Sequence, residues 1–408
     1  MPSNSPHRAE ASAESGCPVH GTLEWPFVPD SALVPPAEWT QLRAECPVAS
    51  IHSDLYDDSL LITRYEDVSA LLSDGRFWRK AAPGESGVRG AQLESLASDE
   101  GHMRWRRLLS RLFTAKRMQA LRPRITELTN ELVDDMIAGG SPADLRKSLG
   151  FPVPVYVICE LLGVPHEHRA QFSSWSDYFL SVSKYTPQQV TAAMTEMVEY
   201  MREHVRIKRA DPGDDLISQL ITVVDAQDGR MSEAEMVQTA QTLLIAGHES
   251  TSNMIGKIVA RLLADHRRWE QLVADPSLVP NAIEEGLRMD TTLTVGLHRH
   301  VTQETELAGT TVKPDTTVVI STSAANRDEQ AFERPEEMDL NRNPNPHLTF
   351  SVGPRSCLGQ SLARVELQTV VSVLLERLPT LALAVPPEDL ELRKGLMVGG
   401  LEAVPVRW

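Results

Sequence analysis

The sequence predicts a mainly α protein with small β-sheets, an α+β chain, on three observations. Apolar residues recur at i, i+3 and i+4 spacing through eight segments. Strand-like runs are few and short, and no internal repeat organises the 408 residues. Hydrophobic residues make up 41% and charged residues 24%, ordinary for a globular chain with a sizeable core. The length exceeds that usual for one domain, yet no linker divides it. The expected organisation is a disordered tail over 1–22 and one domain over 23–408.

From the N-terminus, MPSNSPHRAEASAESGCPVHG is polar and Pro/Ser-rich and lacks the apolar core of a signal peptide. No later stretch approaches the roughly 18–20 apolar residues of a membrane span, so no membrane association is expected and the location is read as cytoplasmic. SLLITRY (59–65) reads as a strand. Residues 79–101, Gly/Ser-rich and weakly periodic, are either a lid or a solvated connector. Helical periodicity then covers 103–114, 119–138 and 152–163, the last with Cys159 packed in PVYVICELLGV. Helices over 167–181 and 188–208 flank SVSKYTPQQ (181–189), a second segment open to either reading.

The longest helix, 232–264, opens on SEAE, where Ser232 and Glu235 form a capping box. In its middle lies AGHES, a glycine, an acid and a hydroxyl between apolar turns. Mid-helix glycine costs about 1 kcal/mol against alanine, and a buried carboxylate costs more unless partnered. Such local rule-breaking marks either a functional site or a tolerated glycine with polar neighbours facing solvent. A helix over 277–289, strands in HRHVTQETELAG (298–309) and TTVVIST (316–322), a last helix over 359–377 and a terminal strand VPVRW complete the order.

A net charge of −16 and a pI near 5.2 argue against nucleic acid as partner. Arg104, Arg107, Arg111, Lys116 and Arg117 nevertheless cluster around one helix, as a solvated face or a docking patch for an acidic protein. The four cysteines, Cys17, Cys46, Cys159 and Cys357, lie far apart without CxxC spacing, so neither a zinc site nor a disulfide framework is predicted. Cys357 is singular in its placement. It follows a Gly/Pro/Arg turn and precedes a helix, where unpaired amides and the positive dipole end favour a thiolate. Gly353 and Gly359 admit a tight turn and close approach of something flat and bulky. A soft axial sulfur on haem iron is one use of such a thiolate. A nucleophile or redox switch wants a neighbouring His or second Cys, and only His347 is near in sequence.

FSVGPRSCLG (350–359) resembles the haem-binding signature of the cytochrome P450 family, F-x-x-G-x-R-x-C-x-G, with Phe350, Gly353, Arg355, Cys357 and Gly359 in register. Three further stretches stand in the family's order: HMRWR (102–106), AGHES (246–250), and Glu285 with Arg288 in EEGLR, for which DLNR supplies Arg342 as partner. The similarity spans 35–408. It implies the family's fold, a triangular prism with haem b between the long central helix and the cysteine-ligand loop.

The resemblance also implies roles. Cys357 is the axial iron ligand, and Phe350 packs beside it and limits solvent. His102, Arg106, Arg299 and Arg355 meet the haem propionates. Ala246 and Gly247 leave room for dioxygen where the helix is expected to open locally. Glu249 and Ser250, with Thr251 as a fallback hydroxyl, deliver protons during O–O cleavage, and His248 is a bystander. Glu285, Arg288 and Arg342 are structural. The sequence departs from the family's usual pattern in having Ser250 for threonine, Thr292 for proline and Met338 for an aromatic. A substrate pocket is expected to draw on residues 80–98 including Leu93, the 170–190 lid, Leu243, Ala246, Leu293, Thr294, Val295, Met397 and Val398. Lys80, Arg89 or Lys184 could serve as a cationic anchor.

The chain carries no flavin or iron–sulfur segment, so electrons are expected from NAD(P)H through a ferredoxin reductase and a ferredoxin that meets the basic cluster. The expected activity of this monomer is hydroxylation or epoxidation of a medium-sized, mostly apolar organic molecule of secondary metabolism. Oxidative C–C or C–N coupling and peroxide-driven oxidation stay open, as does a haem-thiolate sensor or carrier. The acid–hydroxyl pair disfavours the peroxide and sensor readings.

Overall fold

The computed structural model describes residues 21–53, 57–74, 77–78, 99–181, 183–225 and 231–408. The tail through residue 20, Leu93, Lys80 and Arg89 lie outside the described residues, as does most of the 79–101 segment. Nine helices carry the argument: α1 (Tyr65–Ser73), α2 (Asp99–Ser110), α3 (Arg122–Gly139), α4 (Pro152–Leu161), α5 (Arg169–Leu180), α6 (Pro187–Ala210), α7 (Glu233–Ala264), α8 (Val279–Met289) and α9 (Gln360–Arg377).

Everything is arranged around α7. Its 32 residues make a rod of about 48 Å at 1.5 Å per residue. The capping box fixes its start: Ser232 Oγ accepts the Glu235 amide at 3.2 Å, and the Glu235 carboxylate accepts the Ser232 amide at 2.7 Å. From Thr251 to Leu263 every residue is buried, as expected of a helix packed on all sides. Helices α4, α6, α8 and α9 lie against it, and α9 also packs on α3. Most of the apolar interior forms one cluster along this rod. The helix runs unbroken through 246–250, where a local opening was expected. The bulk missing at Gly247 also has another use: a Cβ built there would lie 2.7 Å from Ile158 Cδ1 on α4. Gly247 therefore seats α7 against α4.

A six-stranded sheet holds β1 (Leu23–Glu24), β2 (Val48–Ser53), β3 (Asp57–Ile62), β4 (Phe77–Trp78), β6 (Leu297–Val301) and β9 (Thr317–Ile320), in the order β1-β2-β3-β9-β6-β4. Its β2–β3 and β6–β9 pairs are antiparallel, while β3 meets β9 in parallel with Leu60 opposite Val318. Alternation buries one face on a second apolar cluster that includes Val48, Leu60, Ile62, Val318 and Ile320. A smaller sheet joins β5 (Ala143–Asp144) and β10 (Ala382–Leu383) to the two sides of β11 (Pro405–Arg407). The predicted strand over 298–309 is interrupted after Val301 and resumes as β7 (Thr305–Leu307), which forms a separate two-stranded ribbon with β8 (Thr310–Val312). Cys46 is disulfide-bonded, where unbridged thiols were expected. Among the described residues no helix is long and apolar enough to cross a membrane.

Candidate active site

The loop that presents Cys357 is held from both sides. Gly353 takes φ +76°, and a Cβ there would meet Leu72 O at 2.8 Å and Ser73 Cα at 2.9 Å, so the loop rests directly on the end of α1. The Cys357 amide donates to Phe350 O at 2.7 Å and closes the turn. Phe350 covers the Arg364 guanidinium, 4.5 Å from ring centroid to carbon. Cys357 counts as exposed by surface area yet is densely surrounded, as a side chain at the floor of a hollow is. Burial pushes its thiol above the ordinary value; the Gly359 amide, Arg106, Arg364 and the Gln360 amide pull the other way. A bound metal ion deprotonates such a thiol outright.

Gly359 heads α9, and a Cβ built there meets nothing within 4 Å. Arg106, on α2, donates to Ser356 Oγ at 3.0 Å and so ties that helix to the cysteine loop. His102 stacks on Trp105 at 5.6 Å, and Trp105 Nε1 donates to Thr239 Oγ1 at 3.0 Å, joining α2 to α7. Arg299 is buried on β6, and Arg355 is half-buried in the loop itself. A sulfur met by two amides and two arginines, beside an open glycine face, is a donor set that fits an anionic axial ligand and a flat group. The residues present fit haem.

Below the loop, Glu285 and Arg288 are fully buried. Arg288 grips Glu285 with two bonds of 2.8 Å, and Arg342 Nε lies 3.1 Å from both carboxylate oxygens. Asn345 Nδ2 and the Asp339 amide each add a bond of 3.0 Å. The remaining arms of Arg288 donate to the carbonyls of Asn326, Pro335 and Glu337. The neighbouring Glu284 takes a forked pair of 2.8 Å bonds from Arg364 and one of 3.1 Å from His347. Burial alone would raise that carboxyl; the His347 and Arg364 bonds outweigh it and bring it down to about 2.

Above the loop, on α7, Ser250 Oγ turns back to Ala246 O at 3.3 Å, and Thr251 is buried. Glu249 is buried, with Oε1 accepting from Asn253 Nδ2 at 3.3 Å and from Arg393 Nη1 at 2.5 Å. Arg393 reaches on to Asp177 at 2.8 Å, and Asp177 binds Lys184 Nζ at 2.9 Å. The acid is thus one end of a chain of charges leading to α5. His248 is buried beside it: Nδ1 lies 2.7 Å from Leu244 O, and Nε2 is 3.8 Å from Glu249 Oε2. Burial holds His248 below the usual histidine range.

The predicted pocket segments converge. Met397 N donates to Leu180 O at 2.8 Å, and Thr294 N donates to Met397 O at 3.2 Å. Leu293 bridges Val398, and Ser181 bridges Leu396. The C-terminal turn therefore touches both the end of α5 and the 292–295 segment. Leu243 and Val398 are buried at their margins and Ala246 is exposed. Val295 is buried with its carbonyl accepting from Trp25 Nε1 at 3.2 Å, so it supports this wall from behind. In the basic cluster Arg104 is committed to Glu235 and Arg117 to Gln219, leaving Arg107, Arg111 and Lys116 at the exposed surface.

Comparison with known proteins adds three findings. A sequence model of the cytochrome P450 family matches residues 259–399. The chain is 39% identical to nocardicin C N-oxygenase of Nocardia uniformis subsp. tsuyamanensis, across 95% of this chain and 99% of that one. It is also 39% identical to mycinamicin IV hydroxylase/epoxidase of Micromonospora griseorubida, across 94% and 98%. Among solved structures, SgvP, described as a putative thioether synthase of griseoviridin tailoring, superposes with a TM-score of 0.89 at 37% identity, covering 95% of this chain and all of that one.

Proposed function

Because this chain belongs to the cytochrome P450 family of oxidoreductases, we propose that it holds haem through Cys357 and inserts oxygen into a medium-sized, mostly apolar secondary metabolite. When bound, haem supplies the activation of dioxygen, one atom entering the substrate and the other leaving as water. The observation that carries the reading is the Cys357 sulfur itself, set at a helix start between amides and arginines.

The chain's own residues divide the remaining work. Arg106, Arg299 and Arg355, with His102, neutralise the propionates, a task suited to forked donors. Glu285, Arg288 and Arg342 fix the meander on which the cysteine loop rests. Glu249 would serve as the proton source when haem is bound, and Ser250 or Thr251 would pass the proton on. Arg393 fixes the position of the Glu249 carboxylate. Leu243, Leu293, Thr294, Met397 and Val398 shape a largely apolar pocket, consistent with relatives named for natural-product oxidations. The exposed Arg107, Arg111 and Lys116 receive an acidic ferredoxin, which brings electrons from NAD(P)H through its reductase.

The test is spectroscopic. Purified holoprotein should give a ferrous carbonyl adduct with the red-shifted band of a thiolate ligand, lost in Cys357→His. Absence of the band from the parent protein overturns the assignment. Product analysis with a surrogate ferredoxin system then separates oxygen insertion from oxidative bond formation. The likeness to SgvP favours keeping bond formation as a second reading.

A further inference from the structure

A cleft of about 400 Å³ lies between the residues around β5, the end of α5 and the 393–402 segment. In a chain of net charge −16, its wall carries five Lys or Arg side chains and three carboxylates. Two of those acids are already engaged. Asp177 is shared by Arg393 and Lys184. Asp144 Oδ1 accepts the backbone amides of Arg146 at 3.0 Å and Val404 at 2.9 Å. Arg393 is itself held by Asp177 and Glu249.

Arg146, Lys147 and Lys394 remain, against Glu402 alone, and their side chains find no ion pair among the described residues. Arg146 decides the matter. Its Nε is buried without an acceptor; burial disfavours its charge and Arg393 repels it, while Glu249, Asp144 and Asp177 attract it from a distance without hydrogen-bonding it. A buried guanidinium donor left unpaired is costly. An oxyanion that accepts from the guanidinium fork removes that cost. Arg146 also opens a five-residue π-helical turn, a geometry frequent at functional sites.

We propose that this cleft binds a small, multiply charged oxyanion, a phosphate or a dicarboxylate, on Arg146, with Lys147 and Lys394 completing its neutralisation. The cleft is larger than a bare phosphate needs, so it leaves room for an ester or a carbon skeleton. The inference does not rest on the haem chemistry and stands or fails separately from it.

Calorimetric titration of the holoprotein with inorganic phosphate and with succinate, at ionic strength held constant with sodium chloride, is expected to show saturable one-site binding of at least one. Binding of phosphate alone assigns the site to phosphate esters, and binding of succinate alone to dicarboxylates. The double variant Arg146→Gln, Lys147→Gln is expected to bind about tenfold more weakly or worse. Lys394→Gln, at an exposed position, gives a smaller loss and carries the test if the double variant does not fold. Arg267→Gln, an exposed cation elsewhere, should bind as the parent does. Absence of saturable binding with both anions overturns the proposal, as does affinity unchanged in the folded variants.

Discussion

Glu285 and Glu249 are both buried carboxylates gripped by arginine, and they differ in where their partners lead. Glu285 is enclosed by Arg288, Arg342, Asn345 and the Asp339 amide, and the outer arms of Arg288 end on backbone carbonyls. That net is closed, so it holds shape. Glu249 has one arginine, which hands on to Asp177, then to Lys184 at the edge of a cleft. That chain is open at one end, so a charge moved there can be answered from solvent. Beneath the cysteine the molecule is built to stay fixed; above it, to respond.

The contrast breaks most visibly at Arg288. Arg288→Ala strips the buried Glu285 of its forked partner, leaving Arg342, Asn345 and the Asp339 amide, and should cost about 3–5 kcal/mol, read by urea unfolding together with loss of haem content. The neighbouring Glu284, held by Arg364 and His347, gives this side of the molecule a pH signature. Its carboxyl falls from an ordinary 4.5 to about 2 on folding. The stabilisation is therefore complete above the unfolded value and disappears as pH drops through the folded one. Between those limits the parent should lose about 2–3 kcal/mol that Glu284→Gln does not lose, measured by denaturation at stepped pH.

On the responsive side, Arg393→Gln should cost only about 1–3 kcal/mol and keep its haem, while the ratio of hydrogen peroxide to product rises. Haem loss on the scale of Arg288→Ala would erase the distinction. Gly247→Ala drives a methyl against Ile158 and should cost about 1–3 kcal/mol, less about 1 kcal/mol of helix propensity, with part regained in Ile158→Val. The smallest effect belongs to Ser250→Thr: stability within about 0.5 kcal/mol and less peroxide released per product. Unchanged or greater release would show that the hydroxyl's freedom does not limit coupling.

What could be read in the chain follows from how far apart the partners lie. The capping box of α7 spans three residues and is legible on sight. Glu285, Arg288 and Arg342 could be named because a family pattern joins them. Asn345, the third side chain on that carboxylate, has no such pattern, and nothing local betrays it. Arg393 stands 144 residues from Glu249 and Asp177 216 from Arg393, so the charge chain exists only after folding. The packing role of Gly247 is hidden in the sequence for a like cause, since Ile158 occupies its missing side-chain volume from another helix. Two elements were within reach. LISQLITVVD (216–225) has a clear apolar face, and VASIHS (48–53) alternates, yet neither was taken as an element.

The turn that stitches α5 to the 292–295 segment ends in two glycines where a larger residue must displace a neighbouring side chain. A Cβ on Gly399 would strike the Thr294 methyl, and one on Gly400 the Asn253 amide. Its path is thus held close against α7 and the 292–295 segment. Within this turn, retuning of the proposed pocket falls to Met397, by length, and to Val398, by branching. A mutagenesis library aimed at new chemistry should randomise that pair and leave the glycines alone.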